Sequence, residues 1–314
     1  MTTLDRRQLL ALLGSTAIPC LASAQTHKRG SLLIIGGAED RKQHRVILKK
    51  FLELSGGANA RIEVITAASE TPVDTWQSYQ AAFKDLGATR CEVVPISTRE
   101  DASNTSVVKQ LAEADGIFMT GGDQNILIQC LLGSPAAHAM HHAFRANGAC
   151  ISGTSAGAAV MSRQMLAQGN AMLAPEKDMV SMHTGLGFVA NAIIDQHFSE
   201  RQRLGRLLSA LAQRPTMLGV GIDEDTALVI EPNQSIEILG RGAVTLVDPR
   251  QMRSNFNHIG DGEKLEMLGL QMHLLPAGNR YVLPSDPKNR KPPVQLWEAL
   301  SLLAQPGENS DQLL

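Results

Sequence analysis

From Gly30 onward, short apolar runs alternate with segments of helical periodicity, and this alternation is the feature that most restricts the fold. The runs that predict strands are Ser31 to Gly37, Ile62 to Ser69, Cys91 to Ser97, Gly116 to Gly122 and Cys150 to Gly153. Buried strands separated by helices are typical of an α/β domain with a largely parallel sheet flanked by helices. In such open sheets ligands bind at the carboxyl ends of the strands, so we expect the functional site there.

The segments between and after these strands fit the same architecture. Between Val73 and Gly87, large apolar residues recur at steps of three and four, which predicts a helix with one side facing the core. Beyond Met217, strand-like runs separated by short turns predict a C-terminal strand extension of the same sheet. The Lys- and Pro-rich stretch from Pro284 to Pro293 predicts a surface loop, and residues 294–304 a closing helix.

Length and charge narrow the classes of function. A chain of 314 residues with no internal repeat or linker is long enough for one large domain. We predict a single α/β domain over residues 25–304 and a polar tail over residues 305–314. The 29 basic residues nearly balance the 31 acidic ones, so the composition gives no indication of a nucleic-acid partner.

Residues 1–24 have the features of an export signal. Arg6 and Arg7 precede an apolar run that ends in the small residues 22–24, a cleavage signature. Paired arginines are typical of the twin-arginine route. A membrane anchor is the alternative, but the apolar run is shorter than the roughly 20 residues that span a bilayer, and Pro19 breaks it. We expect export to the periplasm or the extracellular space, without stable membrane insertion after cleavage.

The cysteines and histidines indicate neither a disulfide framework nor a metal site. After cleavage three cysteines remain, Cys91, Cys130 and Cys150, an odd number in apolar surroundings that predicts buried thiols. His141 and His142 are adjacent, and neighbours on a helix point in different directions. We therefore expect no metal and no cofactor.

The segment from Cys150 to Ser162 places its smallest residues between a predicted strand and a predicted helix. It contains the G-x-S-x-G motif Gly153–Gly157, with Ser155 at its centre. In this context the motif predicts a nucleophile elbow, in which glycines allow close packing around a strained turn and the serine hydroxyl projects from it. The backbone N–H of the next residue, Ala156, would then face an oxyanion.

A serine nucleophile needs a base, and His197 is the candidate that lies between an apolar strand and a helix. Ser199 and Gln202 form an S-x-x-Q pattern, which predicts a capping box for that helix. Its predicted buried stripe consists of Leu204, Leu207, Leu208 and Leu211. A buried histidine with a purely structural role is the alternative.

A carboxylate that could orient the imidazole lies further along the chain. Glu224 stands between Asp223 and Asp225 at the end of a predicted strand. Such a carboxylate holds the tautomer and orientation of a catalytic histidine. Three adjacent acids are also typical of an ordinary turn, and that alternative stays open here.

Five segments carry a family resemblance, in order along the chain: GGAEDR, TGGDQ, GTSAGA, DQHFSERQRLGRL and GIDEDTALVI. With them the chain resembles the cyanophycinases, serine hydrolases related to peptidase E with a class I glutamine-amidotransferase-like (flavodoxin-like) fold. The resemblance implies Ser155 as nucleophile, His197 as general base and Glu224 as orienting acid. The substrate-pocket residues that it implies are Gln124, Asp195, Gln196, Arg201, Arg203 and Arg206.

The resemblance also implies a substrate, cyanophycin, a polyaspartate whose side-chain carboxyls are amide-linked to arginine and which is cut to β-Asp-Arg dipeptides. Each unit has a free arginine carboxylate and a guanidinium, so a pocket needs both cations and carboxylates. Arg203 and Arg206 can share a helix face, and Arg201 can join them only if the first turn is irregular. A solvated helix face is the alternative for all three.

The expected oxyanion donors are the backbone N–H of Ala156 and one from the Gly121–Gly122 turn, with Gly122 as the candidate. The alternatives are peptidase E-like hydrolysis of Asp-X or isoaspartyl peptides, and a catalytically silent polymer-binding protein. Glutamine amidotransferase chemistry uses a thiolate, and position 155 carries a serine. We expect cyanophycin or a β-aspartyl peptide as partner, with a homodimer as a candidate assembly.

Overall fold

The computed structural model describes residues 29–283 and 293–305. The predicted export signal (residues 1–24), the predicted surface loop except for Pro293, and the predicted tail except for Gln305 lie outside the described residues. The elements, in chain order, are β1 (Leu32–Ile35), α1 (Val46–Leu54), β2 (Arg61–Ile65), α2 (Pro72–Asp85), β3 (Arg90–Val94), α3 (Thr105–Ala112), β4 (Gly116–Met119), α4 (Gln124–Leu131), α5 (Pro135–His142), β5 (Cys150–Thr154), α6 (Ala156–Ala159), β6 (Gln164–Gln168), β7 (Ser181–Thr184), β8 (Ala192–Gln196), α7 (Leu204–Gln213), β9 (Leu218–Ile222), β10 (Thr226–Ile230), β11 (Ser235–Gly240), β12 (Ala243–Asp248), β13 (Arg253–Ser254), β14 (Met267–Leu268), β15 (Gln271–Pro276), β16 (Arg280–Val282) and α8 (Val294–Ala304).

The central sheet has eight strands in the order β16-β11-β10-β1-β5-β4-β2-β3. Strands β1 to β5 pair in parallel, whereas β10, β11 and β16 add an antiparallel edge. The run of four apolar residues in β1 is fully buried, as expected for a strand that is covered on both faces. The predicted α/β architecture with a largely parallel sheet is confirmed.

Helices cover both faces of this sheet. Helices α1 and α2 pack on one face around Phe51, Tyr79, Phe83 and Phe118, and α3, α4, α5 and α8 pack on the other. In α2, Tyr79 and Phe83 lie 4.9 and 5.8 Å from the ring of Phe118, measured between centroids. The predicted helix between Val73 and Gly87, the core position of its aromatic side, and the closing helix α8 are therefore confirmed.

The predicted C-terminal extension of the sheet is correct for β10 and β11 but wrong for β9 and β12. The latter two belong to a second, four-stranded sheet in the order β15-β12-β9-β8. Two glycines of β9 explain this placement, because a Cβ at Gly221 would lie 2.5 Å from the Phe198 ring and one at Gly219 would lie 2.8 Å from Leu211. Without those side chains, α7 and Phe198 can pack directly on β9.

The segment that follows β1 joins three other segments through its backbone. The donors bond to successive carbonyls: the Ser155 N–H to Ile35 at 3.1 Å, the His197 N–H to Gly36 at 2.8 Å and the Asp225 N–H to Gly37 at 2.8 Å. These donors follow β5, β8 and β9, which come from both sheets. One short segment therefore fixes the relative positions of the predicted nucleophile, base and acid.

The thiols are free, as predicted. Cys130 and Cys150 are buried, but Cys91 is only half-buried because β3 is an edge strand. Burial raises the pKa of Cys91 to about 12. Within residues 29–283 and 293–305, no group of three or more His, Cys, Asp or Glu side chains could hold a metal ion, and no helix has the length and apolar character to cross a membrane.

Candidate active site

Ser155 lies in a tight turn between β5 and α6, with φ 53° and ψ −115°. This is a strained conformation for a residue with a side chain. The flanking glycines are sterically required, because a Cβ at Gly153 would lie 2.1 Å from the Gly157 carbonyl oxygen and one at Gly157 would lie 2.2 Å from that of Met119. The small residues of the motif therefore let the strand, turn and helix pack against β4.

The structure brings Ser155, His197 and Glu224 together as the sequence predicted. The Ser155 Oγ lies 2.9 Å from Nε2 of His197, and Nδ1 of His197 lies 2.6 Å from Oε1 of Glu224. These distances fit a serine that donates to a neutral imidazole and an imidazole that donates to a carboxylate. The arrangement can move a proton from the serine to the histidine while the carboxylate stabilises the imidazolium.

Of the three adjacent acids, Glu224 alone bonds to His197. The carboxylate of Asp223 accepts backbone hydrogen bonds from Ser199 at 3.1 Å and from Ala243 at 3.0 Å. That of Asp225 accepts one from the Asp40 N–H at 2.9 Å. The two flanking aspartates therefore stabilise the surrounding loops, and Glu224 is left to face the imidazole.

The surroundings of His197 favour a neutral imidazole. Burial lowers its pKa below the usual value, the hydrogen bond that it donates to Glu224 opposes this shift, and the charge of Arg201 adds to it. The ring lies against the backbone of Gly37, where a Cβ would be 2.4 Å from its Cε1 atom. At neutral pH the imidazole is thus able to accept a proton.

The predicted capping box after His197 is wrong. Helix α7 begins at Leu204, its N-cap is Arg203, and no side chain caps it. The Ser199 N–H is bonded to Asp223 and Gln202 has φ 51°, so residues 199–202 form a separate turn. Of the predicted apolar stripe, Leu207 and Leu211 are buried and Leu208 partly so, but Leu204 is exposed because it starts the helix.

The predicted pocket residues at the end of β8 form one ion-paired cluster. Arg206 bonds to both carboxylate oxygens of Asp195, with Nε 2.8 Å from Oδ2, and donates to the Gly169 carbonyl at 2.6 Å. Nη1 of Arg203 donates to the side chain of Gln196 at 2.5 Å and lies 3.5 Å from Oδ1 of Asp195. Arg203 and Arg206 thus face the same side, as predicted.

This pairing corrects one expectation about the arginines. The guanidinium of Arg206 is buried and engaged, so it offers no open fork to a ligand. Arg203 keeps Nε and Nη2 without a partner among the described residues, and exposed Arg201 has no side-chain partner among them. Burial and the charge of Arg206 lower the pKa of Arg203 to about 10, which leaves it charged at neutral pH.

On the other side of Ser155 lies the turn after β4. Gly122 has φ +139°, and a Cβ there would lie 1.8 Å from the Ala68 carbonyl oxygen, so only glycine fits. The backbone N–H groups of Gly122 and Ala156 donate no hydrogen bond to any described residue. A cavity of about 640 Å³ is lined by this turn, by Glu70 and by Gln124, whose Nε2 donates to Ala167 at 2.7 Å.

Comparison with known proteins assigns the family. Residues 32–238, which include Ser155, His197 and Glu224, match the family model described as peptidase family S51. The chain belongs to peptidase family S51. It is 38% identical to a cyanophycinase of Nostoc sp. over 280 residues, which cover 89% of this chain and 93% of that relative. It is 39% identical to a cyanophycinase of Synechococcus elongatus over 266 residues, 83% of each chain.

A solved structure supports the fold of this S51 chain. The crystal structure of a peptidase from an acI-B1 Actinobacterium is similar with a TM-score of 0.61 at 24% sequence identity. The likeness covers 82% of this chain and 98% of that one.

Sequence reasoning missed the contribution of residues 36–40 to the S51 site. The block GGAEDR pointed to the family, but no role followed from it for Glu39 or Asp40. In the structure the Asp40 carboxylate accepts backbone hydrogen bonds from residues 42–45, and its own N–H bonds to Asp225. The sequence did contain one indication, the glycine pair directly after β1. Such a pair is typical of a backbone that packs closely against other segments.

Proposed function

We propose that this chain is a serine exopeptidase that hydrolyses cyanophycin to β-Asp-Arg dipeptides through an acyl-enzyme. The observation that carries the proposal is the hydrogen-bonded series Ser155–His197–Glu224 in a chain that is 37% to 39% identical to cyanophycinases. The strained turn at Ser155 then serves as a nucleophile elbow, which presents the hydroxyl at the end of β5.

The mechanism follows from the positions of the three side chains. The Ser155 oxygen attacks a backbone carbonyl of the polymer while Nε2 of His197 takes the hydroxyl proton. Glu224 stabilises the resulting imidazolium, and the unpartnered N–H groups of Ala156 and Gly122 are proposed to bind the oxyanion. His197 then donates its proton to the leaving amine. Water, deprotonated by His197, attacks the ester and releases the product.

Substrate recognition is proposed to rest on charges of both signs around Ser155. The free donors of Arg203 and Arg201 suit the arginine carboxylate of the substrate. Asp195 and Gln196 then hold Arg203 in place, and Arg206 fixes the carboxylate of Asp195. In the cavity beside Gly122, the carboxylates of Glu70 and Asp123 have the charge that a substrate guanidinium needs.

Insoluble cyanophycin incubated with the purified protein tests the proposal, with soluble products identified by mass. We expect β-Asp-Arg dipeptide as the main product and none from Ser155→Ala. Cleavage of isoaspartyl dipeptides without release from the polymer would favour a peptidase E-like activity. Polymer binding with no product from either substrate would favour a silent binder.

The two arginines that share Asp195 should respond differently to substitution. Lysine keeps the charge but cannot form the planar fork. We expect Arg203→Lys to lower kcat/KM on cyanophycin by about tenfold with little change in Tm. Arg206→Lys, which breaks a buried two-point pair, should lower Tm markedly. If the Arg203→Lys enzyme is as active as wild type, Arg203 does not bind a substrate carboxylate.

The pH dependence should report the lowered pKa of His197. Below that pKa the imidazole is protonated and cannot accept the Ser155 proton, so activity is lost as pH falls through it. Because burial holds this pKa below that of an ordinary histidine, we expect the acid limb of kcat/KM on a soluble β-aspartyl-arginine peptide to have its midpoint below the usual histidine range. A midpoint above 7 would show that another group, or a charged imidazole, controls the rate.

We also propose that the protein is exported, which is supported by Arg6, Arg7 and the small residues 22–24. Its substrate would then be cyanophycin outside the cytoplasm, for example polymer released from other cells. The mature chain is expected to begin at or near Gln25. N-terminal sequencing of protein from the periplasm and the medium tests this, with Arg6→Lys/Arg7→Lys as the control. An intact N-terminus in native material would contradict export.

A further inference from the structure

The buried carboxylate of Glu39 bonds to Thr154, the residue that precedes the nucleophile. Glu39 is 4% exposed, and its Oε2 accepts a hydrogen bond from Oγ1 of Thr154 at 2.6 Å. Its Oε1 accepts one from the hydroxyl of Tyr79. Thr154 and Tyr79 are themselves 2% and 3% exposed. In the described part of the chain, no Lys, Arg or His lies within ion-pair distance of Glu39.

Two hydroxyl groups therefore compensate for the burial of this carboxylate. A buried charge without a cation costs free energy unless hydrogen bonds satisfy it, and bonds to a charged acceptor are short and strong. Burial and the charge of Glu39 raise the pKa of Tyr79 well above its usual value, so the phenol stays a donor. Both carboxylate oxygens are thus fixed in direction, one toward α2 and one toward the end of β5.

We propose that Glu39 is a positioning residue for the nucleophile. It holds Thr154, the last residue of β5, and so sets where the strained turn at Ser155 begins. A strained turn persists only where its surroundings hold it. The Thr154 hydroxyl bond is one such contact, and the Ser155 N–H bond to Ile35 is another from the same neighbouring segment. Without the Glu39 bond, the Ser155 Oγ would spend less time at hydrogen-bond distance from His197.

The position of Glu39 in the chain links this contact to the rest of the site. The carbonyls of Gly36 and Gly37 accept hydrogen bonds from His197 and Asp225, and Asp40 donates to Asp225. Residues 36–40 thus hold the base and the acid segments through backbone atoms. Glu39 also holds the segment that carries the nucleophile, because its side chain bonds to Thr154. An ordinary apolar core residue could not make this contact.

The inference rests on the proposed role of Ser155, and Thr154 provides the sharpest test. Thr154→Val removes the hydroxyl at constant shape, whereas Thr154→Ser keeps it. We expect Thr154→Val to lower kcat by about tenfold at nearly unchanged KM, and Thr154→Ser to retain most of it. Glu39→Met, which keeps the length of the side chain but removes both acceptor oxygens, should cause a similar loss, and Glu39→Met/Thr154→Val no further loss of kcat, because both changes remove the same hydrogen bond to Thr154.

Ser152→Ala is the matched control, since Ser152 lies on the same strand, is fully buried and donates to the Leu33 carbonyl at 2.9 Å. It should lower Tm but leave kcat unchanged. If Thr154→Val and Ser152→Ala lose activity only in proportion to their loss of Tm, or if Thr154→Val is as active as wild type, the proposal is overturned. If Glu39→Met does not fold, the comparison of Thr154→Val with Thr154→Ser still tests the proposal.

A readout without substrate separates this inference from the proposed function. The second-order rate of Ser155 labelling by a small fluorophosphonate, followed by intact mass, should fall in Thr154→Val and recover in Thr154→Ser. A wild-type protein that is labelled at Ser155 but does not cut cyanophycin would contradict the substrate and leave the positioning test valid. Equal labelling rates in wild type and both Thr154 variants would overturn the positioning role alone.

Discussion

Ser155→Ala should lower kcat on cyanophycin by on the order of 10³-fold or more, because the three residues of a serine hydrolase site act as a unit. The Ser155 hydroxyl has a single side-chain partner among the described residues, Nε2 of His197 at 2.9 Å. Removing the oxygen therefore removes the nucleophile and leaves the His197–Glu224 pair in place. Binding of insoluble polymer, measured by co-sedimentation, should remain.

Steady-state release of β-Asp-Arg measures the loss of kcat. Thermal melting of the same sample measures whether the variant is folded. Alanine keeps the Cβ and therefore the backbone strain of this turn, so the variant should melt at about the temperature of the wild type. A variant that still releases dipeptide at a rate comparable to wild type would rule out Ser155 as the nucleophile. The melting curve shows whether an inactive variant is still folded, so loss of activity through unfolding can be told apart from loss of the nucleophile.

Glu224→Gln should have the second largest effect, a fall in kcat on the order of 10³- to 10⁴-fold. The carboxylate accepts a hydrogen bond from Nδ1–H of His197, with 2.6 Å between Nδ1 and Oε1. A glutamine amide can offer an N–H at that position, which favours the imidazole tautomer with its proton on Nε2. That tautomer cannot accept the Ser155 proton. The amide also no longer stabilises the imidazolium.

The two flanking aspartates are controls that the chain itself supplies. Asp223 accepts two backbone N–H groups and Asp225 accepts one, and neither touches His197. Asp223→Asn and Asp225→Asn should therefore lower Tm and reduce kcat far less than Glu224→Gln does. Equal losses of kcat in all three variants at equal Tm would show that the loop, and not Glu224 in particular, supports catalysis.

The fold was predictable where local patterns and burial point the same way. The apolar run of β1 and the spaced aromatics of α2 each specify an element without reference to the rest of the chain. The motif around Ser155 was predictable for the same reason, since glycines at a strand-to-helix junction indicate a tight turn. Pairing of the C-terminal strands was not predicted, because β9 and β10 are both short buried runs but join different sheets, and the role of the β9 glycines is visible only once α7 and Phe198 pack on them.

By itself, the sequence determined the α/β class and the nucleophile turn, because each depends on residue types that are close in the chain. The family resemblance added His197 and Glu224 as base and orienting acid. The tertiary structure places Glu224, and neither neighbour, at hydrogen-bond distance from His197, and it alone decided that Asp195 engages Arg206 and that Glu39 bonds to Thr154. Those outcomes depend on side chains 11 to 115 positions apart. Which donors and acceptors meet is set by how β1, β5, β8 and β9 pack, and no local pattern encodes that.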